Sequence, residues 1–333
     1  MKTHPHAHSN AHPRALPPGL LTAAAVCCTV FAWASAFVSI RSAGAAYSPG
    51  ALALGRLLAA SLVLGVLLLV RREGLPPRGA RRGILLSGLV WFAGYTVALN
   101  WGERLVDAGT ASLLVNTGPI LMALLAARLL GEALPPRLLT GMAVSFTGAV
   151  VVGLSMSSGG NGSTPLLGVA LCLIAAAAYA TGVVAQKPAL SFATPLQVTA
   201  YSCFAGTVAC LPFAGQLVAE VPRAPLSATL NMVYLGVVPT ALAFTTWTYA
   251  LARMPAGKLG ATTYAVPAIV VLLSWVLLGE TPVWLTLLGG LLCLAGVAVS
   301  RYRPRTRQES EARVEEPAPE PPPRGSGSAQ PVA

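Results

Sequence analysis

A chain of 333 residues with 55% hydrophobic and only 10% charged residues has too little charge to cover a soluble surface of that size. Its long apolar runs therefore read as membrane spans, each of about 20 residues. The net charge of +11 does not mark a nucleic-acid binder, because the basic residues stand in short clusters beside apolar runs, as the positive-inside bias requires.

Residues 1–18 are polar and hold all four histidines, His4, His6, His8 and His12, in a tail read as disordered and cytoplasmic. The first span is Leu20–Ile40. Its Ala34-Ser35-Ala36 has the look of a signal cleavage site, but the same segment recurs internally at Leu166–Gln186, where no signal peptide can be. Further spans follow at Gly50–Val70, Gly83–Gly102, Gly109–Leu130 and Leu138–Leu154, with the arginine-rich Arg71–Arg82 between the second and third. Residues 156–164 carry no charge and form a Ser/Gly/Asn linker, the natural boundary between halves. The second set of spans is Leu166–Gln186, Leu196–Val218, Leu230–Ala250, Gly257–Leu278 and Val283–Ser300. Residues 303–333 lose all apolar period and are read as a disordered tail. The six cysteines fall within apolar runs without metal-ligand spacing and read as small packing residues.

The two sets are copies. A shift of 148 lays Ala108–Gly148 on Ala256–Gly296, with Pro119 on Pro267, Gly131-Glu132 on Gly279-Glu280, Gly141 on Gly289 and Gly148 on Gly296. A shift of 146 lays Trp33–Arg41 on Tyr179–Lys187, aromatic on aromatic and base on base. The predicted fold is thus an all-α integral membrane protein of ten transmembrane helices in two repeats, residues 19–155 and 165–302. An odd number of helices in each copy turns the second upside down, an inverted repeat of the kind transporters use. Basic residues place both termini in the cytoplasm, with Arg41, Arg104 and Arg223 left outside.

The order and duplication of Trp33-Ala-Ser-Ala-Phe37, Arg56-Leu-Leu-Ala-Ala60, Pro119 with Leu130-Gly-Glu132, and Pro267 with Leu278-Gly-Glu280 resembles the drug/metabolite transporter superfamily, specifically its ten-helix EamA type. The resemblance covers about Leu20–Tyr302 and implies movement of small metabolites across the plasma (inner) membrane, often export of amino acids or related compounds. It does not fix the substrate.

The residues themselves nominate a substrate path. Pro119 and Pro267 stand deep in their spans and withhold the N–H that would bond the carbonyls of Val115 and Thr263. Such breaks are tolerated where polar neighbours serve the loose carbonyls, here Asn116 and Thr117 in one copy, Thr262 and Tyr264 in the other. The alternative is a packing kink without ligand. Trp33 and Tyr179 fall on opposite sides of the midplane, so they are expected to close the two ends of one cavity, with Ser35 and Thr181 marking its interior face; interfacial anchors are the alternative. Trp91, Tyr95, Tyr201, Trp247 and Tyr249 are further aromatic candidates. Arg56 is an intramembrane charge that either snorkels to the headgroups or meets helix-end carbonyls or an anionic substrate group. Glu132 and Glu280 are expected to cap the helices that follow them, with an ion-coupling site as the alternative.

No span carries an Asp or Glu near its centre and no nucleotide-binding loop occurs, so a cation pocket and direct use of ATP are disfavoured. Expected partners are a small-molecule substrate and the lipid bilayer, with no nucleic acid, no metal and no cofactor; a homodimer is the candidate oligomer. The rival to a secondary transporter or facilitator is a membrane-embedded enzyme acting on lipid or isoprenoid substrates, which would need facing acid and base groups at the membrane surface.

Overall fold

The computed structural model describes residues 18–105, 111, 114–157, 166–278 and 284–301, and every regular element among them is helical. The first copy comprises α1 (Pro18–Gly44), α2 (Pro49–Arg71), α3 (Arg78–Ser87), a π-helical stretch Gly88–Tyr95, α4 (Thr96–Leu105), α5 (Gly118–Leu130) and α6 (Pro136–Ser157). The second comprises α7 (Leu166–Ala189), α8 (Pro195–Cys210), a 3₁₀ turn Leu211–Phe213 and α9 (Ala214–Glu220). It continues with α10 (Leu226–Leu235), a π-helical stretch Gly236–Leu242, α11 (Ala243–Leu251), α12 (Ala256–Ala261), a 3₁₀ turn Thr262–Tyr264, α13 (Ala265–Leu278) and α14 (Trp284–Arg301).

Among the described residues six helical stretches are long and apolar enough to cross a membrane, and Gly118–Leu130, Pro136–Val151 and Leu287–Ser300 are shorter apolar helices. Leu62, Leu69, Val70 and Leu166 stand exposed on the outside, a surface that suits hydrocarbon and not water. Helix ends follow local chemistry. Pro49 opens α2 with a ring that fixes φ, and the Thr194 hydroxyl accepts from Gln197 N–H at 3.1 Å while the Gln197 side chain accepts from Thr194 N–H. Gly131 ends α5 at φ 67, a left-handed turn that favours glycine. The two tails, the 158–165 linker region and Glu280 lie outside the described residues.

Packing repeats the sequence symmetry. The two π-helical stretches begin 148 residues apart, at Gly88 and Gly236. A Cβ on Gly88 would lie 2.5 Å from the Ser202 carbonyl oxygen of α8; one on Gly236 would lie 2.5 Å from the Arg56 carbonyl oxygen of α2. Helices α6 and α14 run antiparallel through glycines: a Cβ on Gly296 would lie 2.4 Å from Gly141 O, and one on Gly148 would lie 2.6 Å from Gly289 O. Close backbone approach of this kind is how helices associate where no hydrophobic drive exists between them. Helix α1 runs antiparallel to α10 and α11, with Thr29 meeting Thr246 at 2.8 Å, Ser35 meeting Tyr234 at 2.7 Å and Tyr47 meeting Thr229 at 2.6 Å. In the same way α7 packs on α3 and α4.

Candidate functional site

A partly open cavity, about 770 Å³ when the solvent space at its mouth is counted, lies among these helices. One wall is the α1 face Trp33, Ala36 and Ile40, spaced as one stripe of an α-helix. A second wall is Trp91, Tyr95 and Leu99. Residues four apart share a helix face, and this wall runs from the π-helical stretch Gly88–Tyr95 into α4. Val115, Asn116 and Pro119 form the third wall, and Arg56 enters from α2. The second copy contributes Tyr179, Phe244, Thr263 and Val266.

Aromatic rings close one end. Trp91 meets Phe244 edge-on at 4.5 Å between centroids, Trp33 meets Phe244 at 5.6 Å, and Trp33 lies against Trp247 at 4.9 Å. Edge-to-face contacts of this type contribute about 0.5–1.5 kcal/mol each beyond area burial. The Trp33 indole N–H donates to the Pro239 carbonyl at 3.2 Å, inside the second π-helical stretch. One turn before Trp33, Thr29 is bonded to the Ala243 carbonyl, so the cavity ends at the ring cluster and runs toward the C-terminal end of α1.

This placement corrects the expectation for Trp33 and Tyr179. They do not close two ends of one cavity: their rings touch edge-on at 6.2 Å, in the same closure. Ser35 is turned away from the cavity, donating to the Ala32 carbonyl and meeting Tyr234. Thr181 is half-buried and outside the wall, and Trp247 is fully buried behind Trp33.

Both predicted helix breaks exist, just before the prolines. Helix α5 starts at Gly118 after a turn at Asn116–Thr117, and the 3₁₀ turn Thr262–Tyr264 separates α12 from α13. Pro119 therefore sits in the first turn of α5, where its missing N–H has no intrahelical partner to lose. Three threonines bond carbonyls at these breaks, though not the expected ones of Val115 and Thr263: Thr117 donates to Leu114 O at 2.7 Å, Thr262 to Leu259 O at 2.7 Å and Thr263 to Gly260 O at 2.8 Å. Thr263 also lines the cavity, whereas Thr117 and Pro267 do not. Tyr264 is a second correction. It is buried with Ala123, Met142 and Cys293 away from the cavity, and its hydroxyl has no hydrogen-bond partner among the described residues.

Arg56 does not snorkel. It is only 6% exposed, and its Nε and an Nη donate to the Thr240 hydroxyl at 3.1 and 2.9 Å. That hydroxyl donates in turn to the Leu235 carbonyl at 2.8 Å, inside the second π-helical stretch. Tyr95 and Glu103 are near enough for the guanidinium to feel them. Glu132 caps a helix, but not the one that follows it. Its carboxylate accepts from Ala256 N–H at 2.9 Å and Gly257 N–H at 3.2 Å, at the start of α12 in the other copy. The left-handed turn at Gly131 aims the side chain across the interface instead of forward.

Phe244 and Thr240 escaped the sequence reading. The signal was available: Gly88 and Gly236 stand in register, and Thr240 lies one turn beyond Gly236, which packs on Arg56.

The profile of the EamA-like transporter family matches twice, at residues 20–154 and 166–302. The chain is 38% identical over 284 residues to a probable terminal-alkyne amino-acid exporter of Streptantibioticus cattleyicolor, covering 83% of this chain and 91% of that one. It is 33% identical to the uncharacterized transporter YdfC of Bacillus subtilis, over 80% of this chain and 87% of the relative. It is 30% identical to the aromatic amino acid exporter YddG of Ancylobacter novellus, over 73% and 82%. A solved crystal structure superposes with a TM-score of 0.68 over 88% of this chain and 98% of that chain, at 23% identity, a likeness of fold.

Proposed function

The chain belongs to the EamA-like transporter family, and from that premise we propose that it is a secondary transporter or facilitator exporting an amino acid, or a closely related metabolite, by alternating access. The observation that carries this reading is Arg56. A guanidinium buried in a cavity wall is costly; the Thr240 hydroxyl that it meets is neutral, and Glu103, the acid whose charge it feels, is not part of the cavity lining. A carboxylate matches its planar donors in a bidentate pair, as a phosphate would, and the amino acids that relatives are named as exporting carry the carboxylate. Beside it Trp33, Trp91, Tyr179 and Phe244 offer ring faces and edges to an apolar or unsaturated side chain. Relatives named as exporters of alkyne-bearing and aromatic amino acids suit that pairing.

Ten spans in two inverted copies in the plasma membrane, with both termini cytoplasmic, complete the reading. It is supported by the paired π-helical stretches, the antiparallel glycine contacts of α6 with α14 and the basic Arg71–Arg82 segment. The enzyme alternative gains nothing from the cavity, whose polar wall consists of Arg56, Asn116, Thr263, Tyr95 and Tyr179 among the described residues.

Liposomes containing only this protein test the function. Labelled amino acids should enter faster than into empty liposomes, and equal rates for every amino acid with folded protein would overturn the reading. Topology has its own test. A cysteine in residues 156–164 should react with an impermeant thiol reagent on intact cells and one in Arg71–Arg82 should not; the reverse pattern would invert the orientation.

A further inference from the structure

The repeat pairs each face of α1 with a face of α7. A shift of 146 maps Trp33, Ala36 and Ile40, which line the cavity, onto Tyr179, Gly182 and Gln186. All three residues of the first face line the cavity; on the second only Tyr179 does, while Gly182 and Gln186 are covered. A Cβ on Gly182 would lie 2.3 Å from Cβ of Trp91, and Gln186 is 0% exposed. Both polar atoms of the Gln186 side chain are buried without a hydrogen-bond partner among the described residues. A primary amide left dry is destabilising, and leucine or methionine would fill the same space without that penalty. Packing alone therefore does not account for glutamine here.

The next residue shows what keeps this face shut. The Lys187 ammonium donates to the carbonyls of Leu251 and Met254, where α11 ends. Helix α11 runs antiparallel to α1, so this tie lies at the end where α1 begins, opposite to Ile40. Glu132 joins the two copies through Ala256 and Gly257, just beyond the same end of α11. Two more buried groups without partners fall on counterparts of the wall: Trp247 pairs with Leu99 and Tyr264 with Asn116, both by a shift of 148.

We propose that Gln186 belongs to the substrate path, lining the cavity when it opens at the end where α1 begins, and that Lys187 holds that end closed in the conformation described. The proposal rests on the alternating-access reading above. In the open state the Gln186 amide can donate to a carboxylate and accept from an ammonium group, so a zwitterion moving away from Arg56 meets matched partners. The position equivalent to Arg56 is Ser202, so no second guanidinium detains it there.

Thiol labelling of the full-length protein in liposomes tests this without any transport substrate. N-ethylmaleimide modification is read residue by residue by mass spectrometry, so the native cysteines stay. Ile40→Cys should react promptly and Gln186→Cys slowly. Adding Lys187→Met to Gln186→Cys should speed its reaction about tenfold, the shift expected when hydrogen bonds made in only one of two states are removed. An unchanged slow rate, with Ile40→Cys still prompt, would overturn the proposal even if amino-acid transport holds. Gln186→Leu gives a second reading. A core role predicts a higher melting temperature and unchanged flux; the proposal predicts that fold is kept or strengthened while flux falls about tenfold. Unchanged flux would overturn it.

Discussion

The two copies share their glycines but not the chemistry of their cavity faces. Gly88 and Gly236 make equivalent backbone approaches in the two halves, and the sequence counterparts Gly141/Gly289 and Gly148/Gly296 meet crosswise, Gly141 against Gly296 and Gly148 against Gly289. The walls divide differently. The first copy supplies Arg56, Asn116, Tyr95 and the α1 face, while its counterparts Ser202, Tyr264 and Gln186 are buried elsewhere. A duplicated scaffold can exchange the roles of its halves only where packing is equivalent. A substrate is recognised only where the halves have diverged. Symmetric residues should therefore report on folding, and asymmetric ones on transport.

The largest effect should come from the shared scaffold. Gly148→Leu would drive a side chain into the Gly289 carbonyl and Cys293 N, 2.6 and 2.5 Å from where its Cβ must sit. Overpacking of this kind costs about 1–3 kcal/mol where side chains can yield, and more against backbone. Little monodisperse protein should survive detergent extraction. Gly290→Ala is the control, since its Cβ would meet Ala268 at an ordinary 3.5 Å, and it should extract like the parent.

Next comes the diverged pair. Arg56→Leu should lower amino-acid flux about ten- to a hundredfold, while the melting temperature stays near the parent's, because the apolar group avoids desolvating a charge and the shorter side chain gives up some packing. Ser202→Ala, at the equivalent place, should change flux by less than about twofold. Comparable losses in both would break the distinction between scaffold and site.

The smallest effect belongs to the tie between copies. Glu132→Gln keeps the shape but removes the charge and one of the two acceptors at the α12 amino terminus, and should cost about 0.5–1 kcal/mol, read as a small drop in melting temperature. An unchanged melting temperature would show that the cap adds nothing to stability.

Much of this was readable without coordinates. Duplicated motifs with Pro119 and Pro267 in register located the helix breaks, because proline restricts backbone geometry whatever surrounds it. Arg56 stood out because a charge in an apolar run has few explanations. What stayed hidden was direction. Nothing local tells that Ser35 turns to Tyr234, that Glu132 reaches Ala256, or that Trp33 and Tyr179 meet. Those outcomes depend on how one copy is laid on the other. The π-helical stretch Gly88–Tyr95 was equally invisible, since it carries the same apolar composition as the α-helices around it, whereas Pro239 marked an irregularity inside Gly236–Leu242.

The central claim is that Arg56 holds a substrate carboxylate against an aromatic wall. Counterflow in liposomes, comparing an aromatic amino acid with the amine left after its decarboxylation, tests this most directly. The protein should move the amino acid and leave the amine near the rate of empty liposomes, and Arg56→Leu should lose the preference. Equal movement of acid and amine by the parent protein would contradict it.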